Sequence, residues 1–154
     1  MQSKFEQLSK KFDINNINNQ QELKGKNGRY VGQVVNGLPE GKGIEYYKDG
    51  DRYEGEFRNC KKEGKGIYYY NREPFKGDRY EGDYRNGKME GKGIYYTINV
   101  GRYEGDWRNS KKEGKGIYYY NNGNRMMGDY YNDNPTGKHV MLTRNGEVKK
   151  YNII

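Results

Sequence analysis

The stretch YEGDWRNSKKEGKGIYYYN, from Tyr103 to Asn121, decides the fold because it recurs along the chain. The stretch YEGEFRNCKKEGKGIYYYN, from Tyr53 to Asn71, differs from it at three of nineteen positions. Further copies begin at Tyr30 and Tyr80, and a degenerate fifth copy begins at Met126. Such a repeat is typical of an array in which each unit contacts mainly its neighbours. We therefore predict five repeats over residues 25–148.

Alternation within each copy predicts two strands. In the second copy, Tyr53, Gly55 and Phe57 fall on one face of a strand, and charged residues fall on the other. The segment 64–70 also alternates, and the polar residues 59–63 between the two segments are expected to form the loop of a β-hairpin. A second turn signal ends each unit, so we predict an all-β fold: a single-layer antiparallel meander of stacked β-hairpins. The repeated glycines are expected to leave a floor without side chains on which a ring lies.

The terminal residues lie outside the repeats. Phe5, Leu8 and Phe12 are spaced as on one face of a helix, and Ser3-Lys4-Phe5-Glu6 has the spacing of a capping box. Residues 1–24 are therefore expected to hold a short amphipathic helix over 3–13 and a polar linker. This helix either covers a groove of its own chain or docks elsewhere. Residues 149–154 are expected to form a tail or an edge strand.

The repeats resemble MORN (membrane occupation and recognition nexus) repeats, whose signature is Tyr-x-Gly-x-aromatic followed by Gly-x-Gly. The resemblance runs from Tyr30 to Arg125, with Val34 in place of the aromatic residue, and the fifth copy has Met126 for Tyr and His139 for Gly. It implies a non-catalytic scaffold that binds proteins or dimerises, in cytoskeletal assemblies such as the radial spokes of the ciliary axoneme. The abundance of Asn, Lys and Tyr suggests an A/T-rich genome and favours the same cytoplasmic, cytoskeletal setting.

A single sheet leaves both faces open unless something covers them. We therefore expect the aromatic face to be a groove that a segment of a partner protein fills, within a complex of several subunits. The alternative is that the rings stack only on one another as the core of the array, and both can hold. The groove residues expected from the repeats are Tyr53, Phe57, Tyr80, Tyr84, Tyr103 and Trp107.

The chain has 154 residues and a formal net charge of +8. Lysines at equivalent loop positions provide a second hypothesis, a peripheral contact with anionic phosphoinositide membranes, although Glu63 and Glu113 lie among them. Nucleic acid is not an expected partner, because acidic residues lie opposite the rings on the first strand of each repeat. The lysines concerned are Lys61, Lys62, Lys65, Lys111, Lys112 and Lys115.

The inventory of reactive residues argues against an enzyme. The chain has one His, one Cys and three Ser, without spacing that suggests catalysis or a metal site, so no cofactor is expected. His139 and Cys60 stand where sister repeats have glycine, which favours structural drift. The insertion that places Pro74 and Phe75 in a loop is a further candidate contact.

Overall fold

The computed structural model of the chain describes residues 20–153. These residues form one antiparallel sheet of twelve strands, and each strand pairs with the next along the chain. The single-layer meander predicted from the alternation is thus confirmed, whereas the predicted helix over 3–13 lies outside the described residues. The strands are β1 (Gln20–Gly25), β2 (Gly28–Val35), β3 (Leu38–Tyr47), β4 (Arg52–Arg58), β5 (Lys61–Tyr69), β6 (Arg79–Arg85), β7 (Lys88–Thr97), β8 (Gly101–Arg108), β9 (Lys111–Tyr120), β10 (Arg125–Tyr131), β11 (Asn134–Leu142) and β12 (Val148–Ile153).

Each repeat is a hairpin closed by a two-residue turn. Asn59 and Cys60 have φ angles of 48° and 63°, as a tight hairpin turn with two left-handed residues requires. The predicted loop over 59–63 is therefore confirmed for residues 59 and 60 and wrong for residues 61–63. Residues 61–63 belong to β5 because a bulge absorbs two extra residues: Gly55 pairs with Gly66, but Glu56 pairs with Glu63.

The first tyrosine of each repeat covers a pair of glycines. The Tyr53 side chain is fully buried, and its hydroxyl donates to the Glu56 carbonyl at 3.1 Å, where the bulge bends the hairpin. Gly55 and Gly66 lie opposite each other beneath this ring, which leaves no room for a Cβ at either position. The expected glycine floor under a ring is therefore present at these two positions of the repeat.

Rings of successive repeats pack edge to face in one continuous row. The Phe57 ring lies 4.9 Å from that of Tyr30 and 5.2 Å from that of Tyr53, with interplanar angles above 80°. Trp107 stands in the same way between Tyr80 and Tyr103, at 5.0 and 5.5 Å. This row is the hydrophobic core, and it lies on one face of the sheet without a second layer over it.

Acidic side chains join neighbouring hairpins at both edges of the array. Glu63 accepts a hydrogen bond from the backbone N–H of Asn86, in the next turn, at 2.9 Å. At the opposite edge, the buried Asp51 carboxylate accepts from the Tyr68 hydroxyl at 2.9 Å and from the Asn71 N–H at 2.8 Å. The glutamate among the loop lysines is therefore a connection between repeats.

The two outer strands differ from the repeats they flank. Residues 20–24, expected in the polar linker, form most of β1, which pairs with β2 from Gln20 to Gly25. Alternation does not mark this strand because an outer strand has a partner on one side only and buries little. At the other end, β12 pairs with β11 along the tail residues 148–153.

Candidate functional site

The six rings expected to form the groove are buried. Their exposed fractions lie between 0% and 6%, because each ring is covered by its edge-to-face neighbours and by the glycine backbone. The expectation that a single sheet leaves these rings uncovered is therefore wrong, and the alternative that they form the core describes their packing. The residues are Tyr53, Phe57, Tyr80, Tyr84, Tyr103 and Trp107. Whether they contribute to binding a partner stays a prediction.

The open concave surface lies on the opposite face of the sheet. It is a trough of about 960 Å³ that crosses β5 to β10. Its floor is bare backbone, because a Cβ added to any glycine of this row would point toward the ring face. The floor residues, which pair in turn across the six strands, are Gly66, Gly82, Gly93, Gly105, Gly116 and Gly128.

One wall of the trough alternates apolar and acidic side chains. Isoleucines from the second strand of each repeat, such as Ile94 and Ile117, pair with Glu104 on the first strand between them. The other wall alternates lysine and aspartate in the same way, with Lys65 opposite Asp83. The alternation arises because the two strands of a repeat carry different residues beside their glycines.

Two lysines of the lysine wall form ion pairs with aspartates. Lys65 forms an ion pair of 2.5 Å with Asp83, and Lys92 forms one with Asp106. The Asp83 carboxylate also accepts from the backbone N–H of Lys92 at 3.2 Å, where the bulge interrupts the strand pairing. Each aspartate thus stabilises both the bulge and the contact to the preceding repeat.

Arginines stack on tyrosines beyond the isoleucine wall. The guanidinium of Arg79 lies 3.8 Å from the centre of the Tyr96 ring, and that of Arg102 lies 4.0 Å from the Tyr119 ring. Arg102 also contacts Glu104 at 2.7 Å. Burial raises the pKa of Tyr96, and the Arg79 charge partly opposes that rise. These stacked pairs lie along the outer side of the isoleucine wall.

The six lysines considered for a membrane contact do not form one surface. The ammonium of Lys62 lies over the Tyr68 ring at 4.4 Å on the ring face, and burial lowers its pKa. Lys112 lies in the same way over Tyr103, at 4.9 Å. Lys65 and Lys115 line the trough on the opposite face, while Lys61 and Lys111 begin their strands at the turns. The six lysines therefore lie on three different surfaces: the ring face, the trough and the turns.

The other positions singled out in the sequence lie outside the trough. Cys60 is exposed in its turn, Phe75 is 46% exposed in the inserted loop, and His139 is 1% exposed. The His139 ring packs against Gly128 and lies 5.5 Å from the Tyr130 ring, in the place that a tyrosine fills in the other repeats. Among residues 20–153, no cluster of His, Cys, Asp or Glu is arranged to hold a metal ion. That part of the chain also contains no helix able to span a membrane.

Sequence reasoning missed the trough residues. The alternation places Lys65 and Ile67 on the face opposite the rings, which the sequence pattern predicts only as the charged face. The missed signal is that the second strand of each repeat carries, next to its glycine, an isoleucine that pairs with a glutamate on this face. Those residues include Ile94, Ile117, Glu81, Glu104 and Lys92.

Comparisons with known proteins agree with the repeat pattern. A family model described as the MORN repeat matches residues 30–52, 53–72, 80–99 and 103–125, more than half of the chain. No curated protein matches the chain in a sequence search. Among solved structures, one similar chain is the SAS-4 (dCPAP) TCP domain in complex with a Proline Rich Motif of Ana2 (dSTIL) of Drosophila melanogaster. It shares 16% sequence identity over 88% of this chain and 90% of that chain, with a TM-score of 0.42.

Proposed function

The chain belongs to the MORN repeat family, and from that premise we propose that it is an adaptor whose trough binds a segment of a partner polypeptide within a larger assembly. MORN repeats form non-catalytic scaffolds that bind proteins or membranes. The proposal keeps the expected partner protein and the glycine-rich sheet, and moves the contact from the ring face to the opposite face.

The observation that supports a polypeptide partner is the shape and lining of the trough. It crosses six strands, which at about 4.8 Å per strand is roughly 24 Å, the length of about seven extended residues. Isoleucines offer apolar contacts along one wall, and the bare glycine floor lets a second backbone approach closely. A long, narrow and partly apolar channel suits a chain segment better than a compact small molecule.

The electrostatics of the trough favour a protein over a membrane. Two of its three lysines, Lys65 and Lys92, are already paired with aspartates, and a recessed channel cannot lie flat against a lipid surface. Membrane attraction requires unpaired basic residues on one protruding surface. The loop lysines do not supply such a surface, since Lys62 and Lys112 lie against tyrosine rings.

For the setting of this adaptor we propose the cytoplasm, in a cytoskeletal assembly of the ciliary axoneme such as the radial spoke. The resemblance of the repeats and the residue usage support this assignment. Localisation of the tagged protein at native expression tests it, and a protein that stays outside cilia contradicts it.

Peptide-library display tests the trough directly. Peptides selected on the natural chain are expected to bind at least tenfold more weakly, about 1.4 kcal/mol, to the Ile94→Arg variant. Ile98→Arg is the matched control, because it makes the same change in the same repeat at a residue that is 60% exposed outside the trough. The control should bind as the natural chain does.

Four outcomes oppose the proposal. No enriched peptide would argue against a polypeptide partner. Binding that survives Ile94→Arg but fails with a Tyr80→Ala variant that keeps the circular dichroism signal of the sheet would place the partner on the ring face. Flotation of the protein with phosphoinositide vesicles, but not with neutral ones, would favour the membrane function instead. A complex that consists only of two copies of the chain would replace the adaptor with a homodimer.

A further inference from the structure

We infer that residues 3–13 of the same chain occupy the trough when no partner is bound there. This inference rests on the proposed function, because it assigns the regulation of the same surface. The segment carries Phe5, Leu8 and Phe12, and it lies outside the described residues. Four features of the described sheet and of the sequence support it.

The first feature is the place where the preceding chain enters the sheet. In β1, Gln21 pairs with Gly32, which pairs with Gly43, and that row continues through Gly55 to Gly66. Residue 20, where the described chain begins, therefore adjoins the extension of the glycine row that forms the floor of the trough. A segment that precedes it starts on the axis of the trough.

The second feature is the length of the connection. Four strand spacings separate β1 from β5, which is about 19 Å at roughly 4.8 Å each. The six residues 14–19 span at most about 20 Å when extended. Residue 13 can therefore reach β5, which is the strand where the trough begins.

The third feature is the spacing of the apolar residues. Phe5 and Phe12 are seven residues apart, which is about 10.5 Å along a helix. Equivalent positions of neighbouring repeats are two strands apart, or about 9.6 Å. Two phenyl rings on one face of the helix predicted from the sequence can thus meet equivalent sites of adjacent repeats, with a mismatch of about 1 Å.

The fourth feature is charge. The lining of the trough, together with the aspartates that pair with its lysines, has three lysines and five acidic residues, so its charge does not repel a basic segment. Residues 3–13 have a net charge of +1. A tethered segment also acts at an effective concentration of order mM, so a weak contact is sufficient. A partner would have to displace it, which lowers the apparent affinity of the trough.

Methyl NMR of the full chain provides the test. The triple variant Phe5→Ser, Leu8→Ser and Phe12→Ser is expected to shift the δ1-methyl signals of Ile94 and Ile117, because nearby phenyl rings are lost. The ε-methyl signal of Met89, which packs against the rings of the other face, should stay in place. The triple control Gln7→Ser, Lys10→Ser and Lys11→Ser changes the polar positions of the same segment and should leave all three methyl signals unchanged.

The result that overturns the inference is unchanged isoleucine signals in the Phe5, Leu8 and Phe12 variant. A shift of Met89 alone would place the segment on the ring face and overturn it too, and so would shifts that vanish on dilution, which indicate a second copy. If the isoleucine signals stay while display still yields peptides sensitive to Ile94→Arg, only this inference fails. If they shift and display yields no peptide even on the Phe5, Leu8 and Phe12 variant, in which the segment no longer occludes the trough, the proposed partner fails and the intramolecular contact stands.

Discussion

At the scale of single residues, one tyrosine per repeat allows a single sheet to have a buried core. The Tyr80 ring lies flat over Gly82 and Gly93, and its hydroxyl donates to the Asp83 carbonyl at 3.2 Å. The ring therefore covers backbone on one side and is covered by neighbouring rings at its edges. Its hydroxyl bonds to a carbonyl that the bulge removes from the usual strand pairing. A second layer is not needed for burial on this face.

The fifth repeat reaches the same packing with two exchanged residues. Met126 replaces the tyrosine, and His139 replaces the second glycine, so the imidazole fills the space of the missing ring. We expect His139→Gly to lower the free energy of unfolding by about 2–4 kcal/mol, because it leaves a cavity beside Tyr130. Met126→Tyr alone should cost about 1–3 kcal/mol, since two rings would compete for one space.

The double variant distinguishes this explanation from independent effects. Together, Met126→Tyr and His139→Gly recreate the pattern of the other repeats, so the double variant should recover most of the lost stability. The measurement is urea unfolding followed by circular dichroism. If the two losses simply add, the imidazole does not substitute for the tyrosine ring, and the compensation is refuted.

At the scale of elements, the hairpin turns are places where the energetic cost of backbone strain can be measured apart from side-chain packing. Asn86-Gly87 and Asn59-Cys60 close equivalent hairpins, and both residues of each turn are left-handed. A left-handed conformation costs a residue with a Cβ about 1–2 kcal/mol, and glycine avoids this at an entropic cost of about 0.5–1 kcal/mol. Cys60 is exposed, so packing does not contribute to the comparison.

We therefore predict that Cys60→Gly raises the free energy of unfolding by about 0.5 kcal/mol. The reciprocal change Gly87→Ser should lower it by a similar amount, because nothing lies within 4 Å of a Cβ at that position. Thermal unfolding of both variants against the natural chain provides the measurement. If both substitutions changed the free energy of unfolding in the same direction, the backbone conformation of the turn would not be the cause.

The elements also show how far sequence can predict this molecule. Alternation around Tyr53 and Gly55 predicts the strands and the order of the sheet, because alternation follows directly from strand geometry. It does not predict the bulge at Gly64, whose φ of 61° depends on pairing with a neighbouring strand. The trough was missed for the same reason. Bulges in register across repeats bend the sheet, and a single repeat carries no sign of that curvature.

At the scale of the whole molecule, stability is distributed along the array through buried tyrosines. Each repeat contacts mainly its neighbours, so the row of rings connects the hairpins in one dimension. Burial, with smaller contributions from Glu40 and Cys60, raises the pKa of Tyr30 to about 12. Burial also raises the pKa of Tyr130 to about 12, near the other end of the row. The phenols therefore stay neutral in the folded chain at pH values where an unfolded chain has begun to ionise.

This difference predicts a specific alkaline transition. A tyrosine whose pKa is raised from 10 to about 12 contributes its full stability below pH 10, and the contribution is lost as pH rises from 10 to 12. Lys62 and Lys112 act in the opposite sense, because burial lowers their pKa from 10.5, but their contribution stops growing above that pH. We expect the urea midpoint to rise slightly as pH approaches 10, because of the two lysines, and to fall steeply above pH 10 because of the tyrosines. The Tyr130→Phe variant should show a shallower fall, since it has one fewer group to ionise. If absorbance at 295 nm shows all 18 tyrosines ionising near pH 10 while circular dichroism keeps the sheet signal, the buried rings are accessible to water and the core described above is not closed.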